Sequence, residues 1–148
     1  MLSYEEKVQS FYLKNKQRVH ISTSVDLTNR EIIIIHPEAI FIVPHTANLY
    51  RFFNAEPDSF SQIWYERIMR ASNDKGFYQT EFKEIIKDDN YTLVVFQNEE
   101  KGYTTRIQKK YYDIAKKKAV NWGVLNRCLI GYTVDGFPVC CIAQVVKR

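Results

Sequence analysis

Leu129-Ile-Gly-Tyr-Thr-Val134, Asp135-Gly136, Phe137-Pro-Val-Cys-Cys-Ile-Ala-Gln-Val-Val146 carries the clearest signal of fold class. Two apolar runs flank an Asp-Gly pair, the favoured sequence of a two-residue type I′ hairpin turn. In that register Val134 faces Phe137, Tyr132 faces Val139 and Ile130 faces Cys141. The other face pairs Thr133 with Pro138 and Gly131 with Cys140. The first set is bulky and apolar, so it is the expected core face.

The same grammar recurs upstream. Glu31–Ile35 and Ile40–Val43 are short runs rich in β-branched residues, joined by His36-Pro-Glu-Ala39. Val19, Ile21, Thr23 and Val25 alternate with polar residues, and Leu27–Arg30 turns the chain, so these segments form a three-stranded meander. Tyr91–Phe96 is a further strand. Gln97–Gly102 is a polar turn, and Tyr103–Arg106 returns antiparallel.

Helices fill the intervals. Ser3 with Glu6 makes a capping box. Tyr4, Val8, Phe11 and Tyr12 follow at helical spacing to about Arg18, with Lys7, Lys14 and Lys16 outward. Leu49, Phe52 and Phe53 suggest a short helix that Glu56-Pro57-Asp58 breaks. Ser59 with Gln62 caps a helix bearing Phe60, Ile63, Trp64 and Ile68, ended by Asn73–Gly76. Thr80 opens a short helix holding Phe82, Ile85 and Ile86. A basic helix runs from Arg106 to about Asn121, with Gly123 as its stop. Hairpins dominate. The expectation is a single α+β domain over residues 1–148, a mainly antiparallel sheet built from hairpins with helices packed on one side.

Composition excludes other classes. Of 148 residues 45% are hydrophobic, 14% aromatic and 26% charged, which excludes whole-chain disorder, collagen and coiled coil. No repeat is visible. No apolar run approaches the ~20 residues of a membrane span, and no secretory leader pattern is present. Cys128, Cys140 and Cys141 are an odd number, two of them adjacent. They do not form a disulfide framework, and reducing cytoplasmic surroundings are expected.

Charge is unevenly spread. Net charge is +4 overall, yet residues 1–100 carry net −4 and residues 101–148 net +8. Such asymmetry points to an anionic partner, nucleic acid or an acidic protein surface. It also suits protomers that associate, so a homodimer is compatible.

The basic helix is the strongest chemical signal. At ~100° per residue, Arg106, Lys109, Lys110, Lys116 and Lys117 share one arc, interrupted by Asp113. Ile107, Tyr111, Ile114, Ala115 and Trp122 share the other. Such a row meets phosphates spaced along a nucleic acid. Tyr112 at the arc boundary offers a ring for an exposed base. Arg127, Lys147 and Arg148 extend the footprint. A solvated helix face is the plainer alternative. Lys118 departs from the stripe and snorkels from the last turn.

Other patterns carry less. His20, His36 and His45 fall in the first meander without ligand spacing, so no metal site is assigned. His36-Pro37-Glu38 with Pro138-Val-Cys140-Cys141 is only superficially like a zinc deaminase signature. Adjacent cysteines on a strand point to opposite faces and cannot share a metal. His20-Ile-Ser22 lacks the second copy that a paired-histidine phosphoesterase needs. Glu81-Phe-Lys83 has the form of a nuclease motif, but the expected helix misplaces it. With five glycines and no phosphate loop, no nucleotide cofactor is expected.

The sequence therefore reads as a small cytoplasmic nucleic-acid-binding, regulatory protein. Its richness in Ile, Lys, Asn, Tyr and Phe suits a mobile element. The alternatives are an inhibitor or regulator of a host enzyme, with Tyr50, Phe52, Phe53, Trp64 and Tyr65 as anchors, and a metal-dependent phosphodiester-cleaving enzyme.

Overall fold

The Ile-rich run of residues 32–35 is apolar at every position, so it has to be covered on both sides. The computed structural model, which describes residues 2–23, 31–44, 52–53 and 55–146, shows how. Strand β2 (Glu31–His36) lies between β1 (His20–Thr23) and β3 (Ala39–Pro44), all antiparallel, with Pro37 and Glu38 in the turn. Ile32 and Ile34 pair with Val43 and Phe41 on one face, while Ile33 and Ile35 pair with Ile42 and Ile40 on the other. Helix α1 (Tyr4–Lys14) covers the first face and α2 (Ser59–Arg70) the second. The expected meander is thus present. Val25, the 27–30 turn, Leu49 and Tyr50 lie outside the described residues.

Six more strands complete the sheet: β4 (Tyr78–Asp88), β5 (Tyr91–Asn98), β6 (Tyr103–Gln108), β7 (Asn121–Leu125), β8 (Cys128–Tyr132) and β9 (Pro138–Ala143). Helix α3 (Lys109–Ala115) follows β6 directly. The strand order is β1-β2-β3-β9-β8-β7-β4-β5-β6, antiparallel throughout. This is the expected α+β class with a hairpin-built antiparallel sheet. Helices α1 and α3 share one face of it, but α2 packs on the other, so the helices are not confined to one side as expected: the Ile-rich strand is apolar on both faces and both need cover. The sheet curls, and the Val145 N–H after β9 donates to the Arg106 carbonyl of β6 at 2.8 Å.

Several local expectations are corrected. Helix α1 ends at Lys14, not Arg18, because Asn15 leaves helical geometry and its side-chain amide donates to the Phe11 carbonyl at 2.8 Å. The N-cap of α2 is Asp58, whose carboxylate accepts from the Ser61 N–H at 2.7 Å; Ser59 is the first helical residue. Thr80, Phe82, Ile85 and Ile86 belong to a strand, β4. A bulge at Lys83 places Phe82 opposite Phe96 and Ile85 opposite Val94. Directly paired residues share a face. The extra residue therefore gives Phe82 and Ile85 the i, i+3 spacing that imitates a helix.

The basic helix is shorter than its arc suggested. Arg106 and Ile107 stay in β6, where Ile107 pairs with Val94, and Trp122 and Gly123 belong to β7. Gly123 faces the Phe77 ring and ends no helix. In the C-terminal hairpin, Ile130–Cys141 and Gly131–Cys140 pair as expected. Beyond them the register slips, and Tyr132 faces Pro138 in place of Val139. The Thr133 N–H donates to the Phe137 carbonyl at 2.8 Å, so the loop is residues 134–136, closed by the Gly136 N–H on the Thr133 carbonyl at 3.0 Å, with Gly136 at φ +86°. A left-handed glycine closing a three-residue loop is the bulged alternative to the two-residue turn. Both faces of this hairpin are buried: Leu129, Cys140 and Ile142 on the α1 side, Ile130 and Cys141 on the α2 side.

Two substitutions test this packing. A Cβ on Gly131 would sit 2.7 Å from Ala119 Cβ, 2.8 Å from Trp122 Cζ3 and 2.9 Å from Cys140 Sγ. Gly131→Ala is expected to cost about 1–3 kcal/mol in urea unfolding, as overpacking does. Asn126 and Arg127 both have positive φ, +50° and +68°, in the β7–β8 turn. Arg127→Gly relieves a left-handed non-glycine residue and is expected to raise stability by ~0.5–1 kcal/mol.

Candidate nucleic-acid interface

The residues expected to form one basic row are divided by the fold. Arg106 lies half-buried on β6, and Arg127 sits in the β7–β8 turn. Lys109 and Lys116 both engage Asp113, at 2.6 and 3.1 Å. Burial pushes the Asp113 carboxyl up, but these two ammonium groups outweigh it and hold the pKa below the usual value. Lys117 is exposed in the turn after α3. Tyr112 is committed to packing: its ring lies 6.2 Å from Phe82, 5.8 Å from Phe96 and 5.7 Å from Trp122. It does not offer the free stacking face that the sequence suggested. Lys147 and Arg148 lie outside the described residues.

Lys110 belongs to a different constellation. On α1, Lys7, Ser10, Phe11 and Lys14 follow at i, i+3, i+4 and i+7 and so share one stripe. That stripe, extended by Asn15 and Arg18, faces Lys110, Tyr111 and Ile114 of α3. Between the helices is a cleft of about 400 Å³ with His36 among its lining residues. The Lys7 ammonium donates to the Asp113 carbonyl at 3.0 Å and ties the two helices together. Lys7, Lys14, Arg18 and Lys110 line this cleft, and no carboxylate does so among the described residues.

His36 is only 3% exposed. Its Nδ1 accepts the Glu38 backbone N–H at 3.1 Å. A backbone N–H only donates, so the ring proton of neutral His36 sits on Nε2. Among the described residues that Nε2 has no hydrogen-bond partner. A buried donor left unpaired costs ~1–3 kcal/mol. The ring is held edge-on to Phe11, centroids 5.3 Å apart, and beside Tyr111 at 5.9 Å. The Tyr111 hydroxyl donates to the Glu38 carboxylate at 3.1 Å, which also accepts from Gln108 Nε2 at 2.7 Å. Burial and this carboxylate raise the Tyr111 pKa and keep the phenol protonated.

The remaining candidates do not converge. His20 is paired with Asp58 at 2.7 Å on the α2 side of the sheet, opposite the face of His36. His45 lies outside the described residues. Cys140 and Cys141 point to opposite faces, as alternation requires. Glu81 and Lys83 lie on a strand, not a helix. Among the described residues no group of three His, Cys, Asp or Glu side chains is placed to hold a metal. Of the aromatics considered as anchors, Phe53 is buried, Trp64 and Tyr65 pack partly against the α2-side core, and Phe52 is exposed. No described helix is long and apolar enough to cross a membrane. No protein-family model, curated protein or solved structure matches the chain.

Sequence reasoning missed the cleft. It read Lys7 and Lys14 as a solvent face and His36 as a turn residue. The available signal was the repeat Lys7, Phe11, Lys14 along one side of the first helix, continued by Arg18 just beyond its end.

The electrostatics of His36 give a direct check. Burial first, then Arg18 and Lys110, lower its pKa from 6.5, against the opposing pull of Glu38. A base whose folded pKa is depressed binds fewer protons when folded. Its contribution to stability is therefore complete above 6.5 and is lost as pH falls toward the folded value. Proton NMR titration is expected to place the His36 midpoint below 6.5; a midpoint at or above it contradicts this environment.

Proposed function

We propose that this is a small cytoplasmic nucleic-acid-binding protein whose phosphate-contacting surface is the α1–α3 face. The observation that carries the reading is the cleft lined by Lys7, Lys14, Arg18 and Lys110 with no carboxylate among its described lining residues. Lys117 in the turn after α3 and Lys16 beyond α1 are exposed and add positive charge near the ends of these two helices. Lys109 and Lys116 share the single negative charge of Asp113, which offsets one of their two charges, so together they contribute less than the bare sequence implies. Phosphate contacts of this kind position a strand without reading its bases, so sequence preference is modest.

The test is fluorescence anisotropy with labelled single- and double-stranded DNA and RNA. Four phosphate contacts give a slope of log K against log salt of roughly −3 to −4, or about a hundredfold loss between ~50 and ~200 mM salt. Lys14→Gln with Lys110→Gln is expected to flatten that slope by about two. Lys83→Gln on β4, away from the cleft, leaves it unchanged. Absence of binding to all four at ~50 mM salt, where such contacts are strongest, rules the reading out.

A protein-binding role is the second reading. Phe60 and Ile63 on α2 are 53% and 51% exposed and supply apolar anchors on that side.

A further inference from the structure

The cleft between α1 and α3 is more particular than a positive surface. It combines cations from two helices with a buried neutral donor from the sheet. We infer that it is a receptor for a phosphate monoester, with the His36 Nε2–H as its deepest donor and Lys7, Lys14, Arg18 and Lys110 as its counter-charges.

The chemistry selects the ligand class. The Nδ1 of His36 is occupied by the Glu38 N–H, so the ring keeps a hydrogen and no lone pair on Nε2; that donor is shielded in this structure, and a phosphate oxygen reaches it only when the Phe11 or Tyr111 ring beside it turns aside. Such a site accepts an anion and rejects a metal ion, which requires a free imidazole lone pair. The cations lining the cleft exclude a ligand cation for the same reason of sign. A phosphate monoester carries about −1.5 to −2 charges at neutral pH and three terminal oxygens. Those oxygens match a guanidinium fork, ammonium groups and one imidazole N–H. A phosphodiester brings a single charge and two free oxygens, and satisfies fewer of these donors.

Size and opposing forces agree. About 400 Å³ lies within the ordinary range of small-ligand sites and takes a phosphate with a sugar or nucleoside attached. Leu2, Phe11 and Ile114 give that attached group an apolar wall. The cleft also borders the C-terminal half of α1, whose dipole carries about half a negative charge at its end. Asn15 donates to the Phe11 and Tyr12 carbonyls there and reduces that effect. Four positive charges stand against that remainder and against the Glu38 carboxylate, which lies outside the lining and is occupied by the Tyr111 hydroxyl and the Gln108 amide.

The inference rests on the preceding proposal in treating the same cations as anion-contacting groups. Its ligand has two possible sources, a free small phosphate or the phosphorylated end of a nucleic acid. Calorimetry on the full chain separates them. The probes are adenosine 5′-monophosphate, adenosine, and one short oligonucleotide unphosphorylated, 5′-phosphorylated or 3′-phosphorylated. The expected result is binding of the monophosphate but not of adenosine, or a tenfold preference for a phosphorylated end. The first outcome identifies a free small phosphate as sufficient, and the second an end. His36→Phe keeps a ring against Phe11 and removes the donor; Arg18→Gln changes an exposed side chain and spares the core. Either is expected to weaken the phosphate-dependent binding at least tenfold, and Arg18→Gln decides the matter if His36→Phe does not fold. Equal binding of all three oligonucleotides with no monophosphate binding overturns the monoester site and leaves nucleic-acid binding standing. Monophosphate binding without oligonucleotide binding does the reverse. Binding by neither removes both, and unchanged affinity in Arg18→Gln overturns the assigned cleft.

Discussion

The join between β3 and β9 brings together residues from opposite ends of the sequence. Ala39 pairs with Ile142, Ile40 with Cys141 and Phe41 with Cys140. Past Phe41 the two strands part. The Tyr4 hydroxyl of α1 occupies the wedge, 2.8 Å from both the Ile42 and the Val139 carbonyl oxygens. One hydroxyl has one proton and serves these acceptors in turn. Pairing across so long a stretch of chain has a large closure entropy to overcome. Burial on both faces offsets it, with Phe41, Cys140 and Ile142 inaccessible on one side and Ile40 and Cys141 nearly so on the other.

The cleft is a consequence of that join. Tyr4 and Val8 anchor α1 over the β3–β9 seam, which presents the stripe of Lys7, Phe11 and Lys14 sideways. Helix α3 cannot lie elsewhere, since β6 feeds it directly and Tyr111 and Ala115 are buried in the same core. His36 ends β2 opposite Ala39, one strand away from the seam, and joins the cleft lining. Glu38 in the next turn fixes it through the backbone N–H on Nδ1, and holds Tyr111 and Gln108 through its carboxylate. A single β-turn thus orients side chains from the sheet, β6 and α3.

Where periodicity is undisturbed, the sequence was legible. The Ile-rich meander, the Ser3–Glu6 capping box and the pairing of Ile130 with Cys141 follow from local chemistry alone. Where a bulge intervenes, it misled. Lys83 adds one residue to β4 and converts a strand's alternation into the helix-like spacing of Phe82 and Ile85. A second irregularity near Tyr132 turns the expected two-residue loop into a longer one. The basic arc failed differently. Arg106 and Lys109 lie on the same imagined helix, but strand pairing of Ile107 with Val94 keeps the first of them in β6.

The sequence by itself determined the α+β class, the hairpins and the positive character of the C-terminal third. These depend on neighbours along the chain, where turn residues, alternation and charge are read directly. Tertiary structure alone decided which cations stand together. Asp113 claims Lys109 and Lys116, while Lys110 meets Lys7, Lys14 and Arg18 from a helix at the other end of the chain. It also decided that His36 is buried with an unpaired donor, because that follows from the packing of Phe11 and Tyr111 around it. No local pattern encodes such a meeting, since it arises from how two distant helices dock on one face of the sheet.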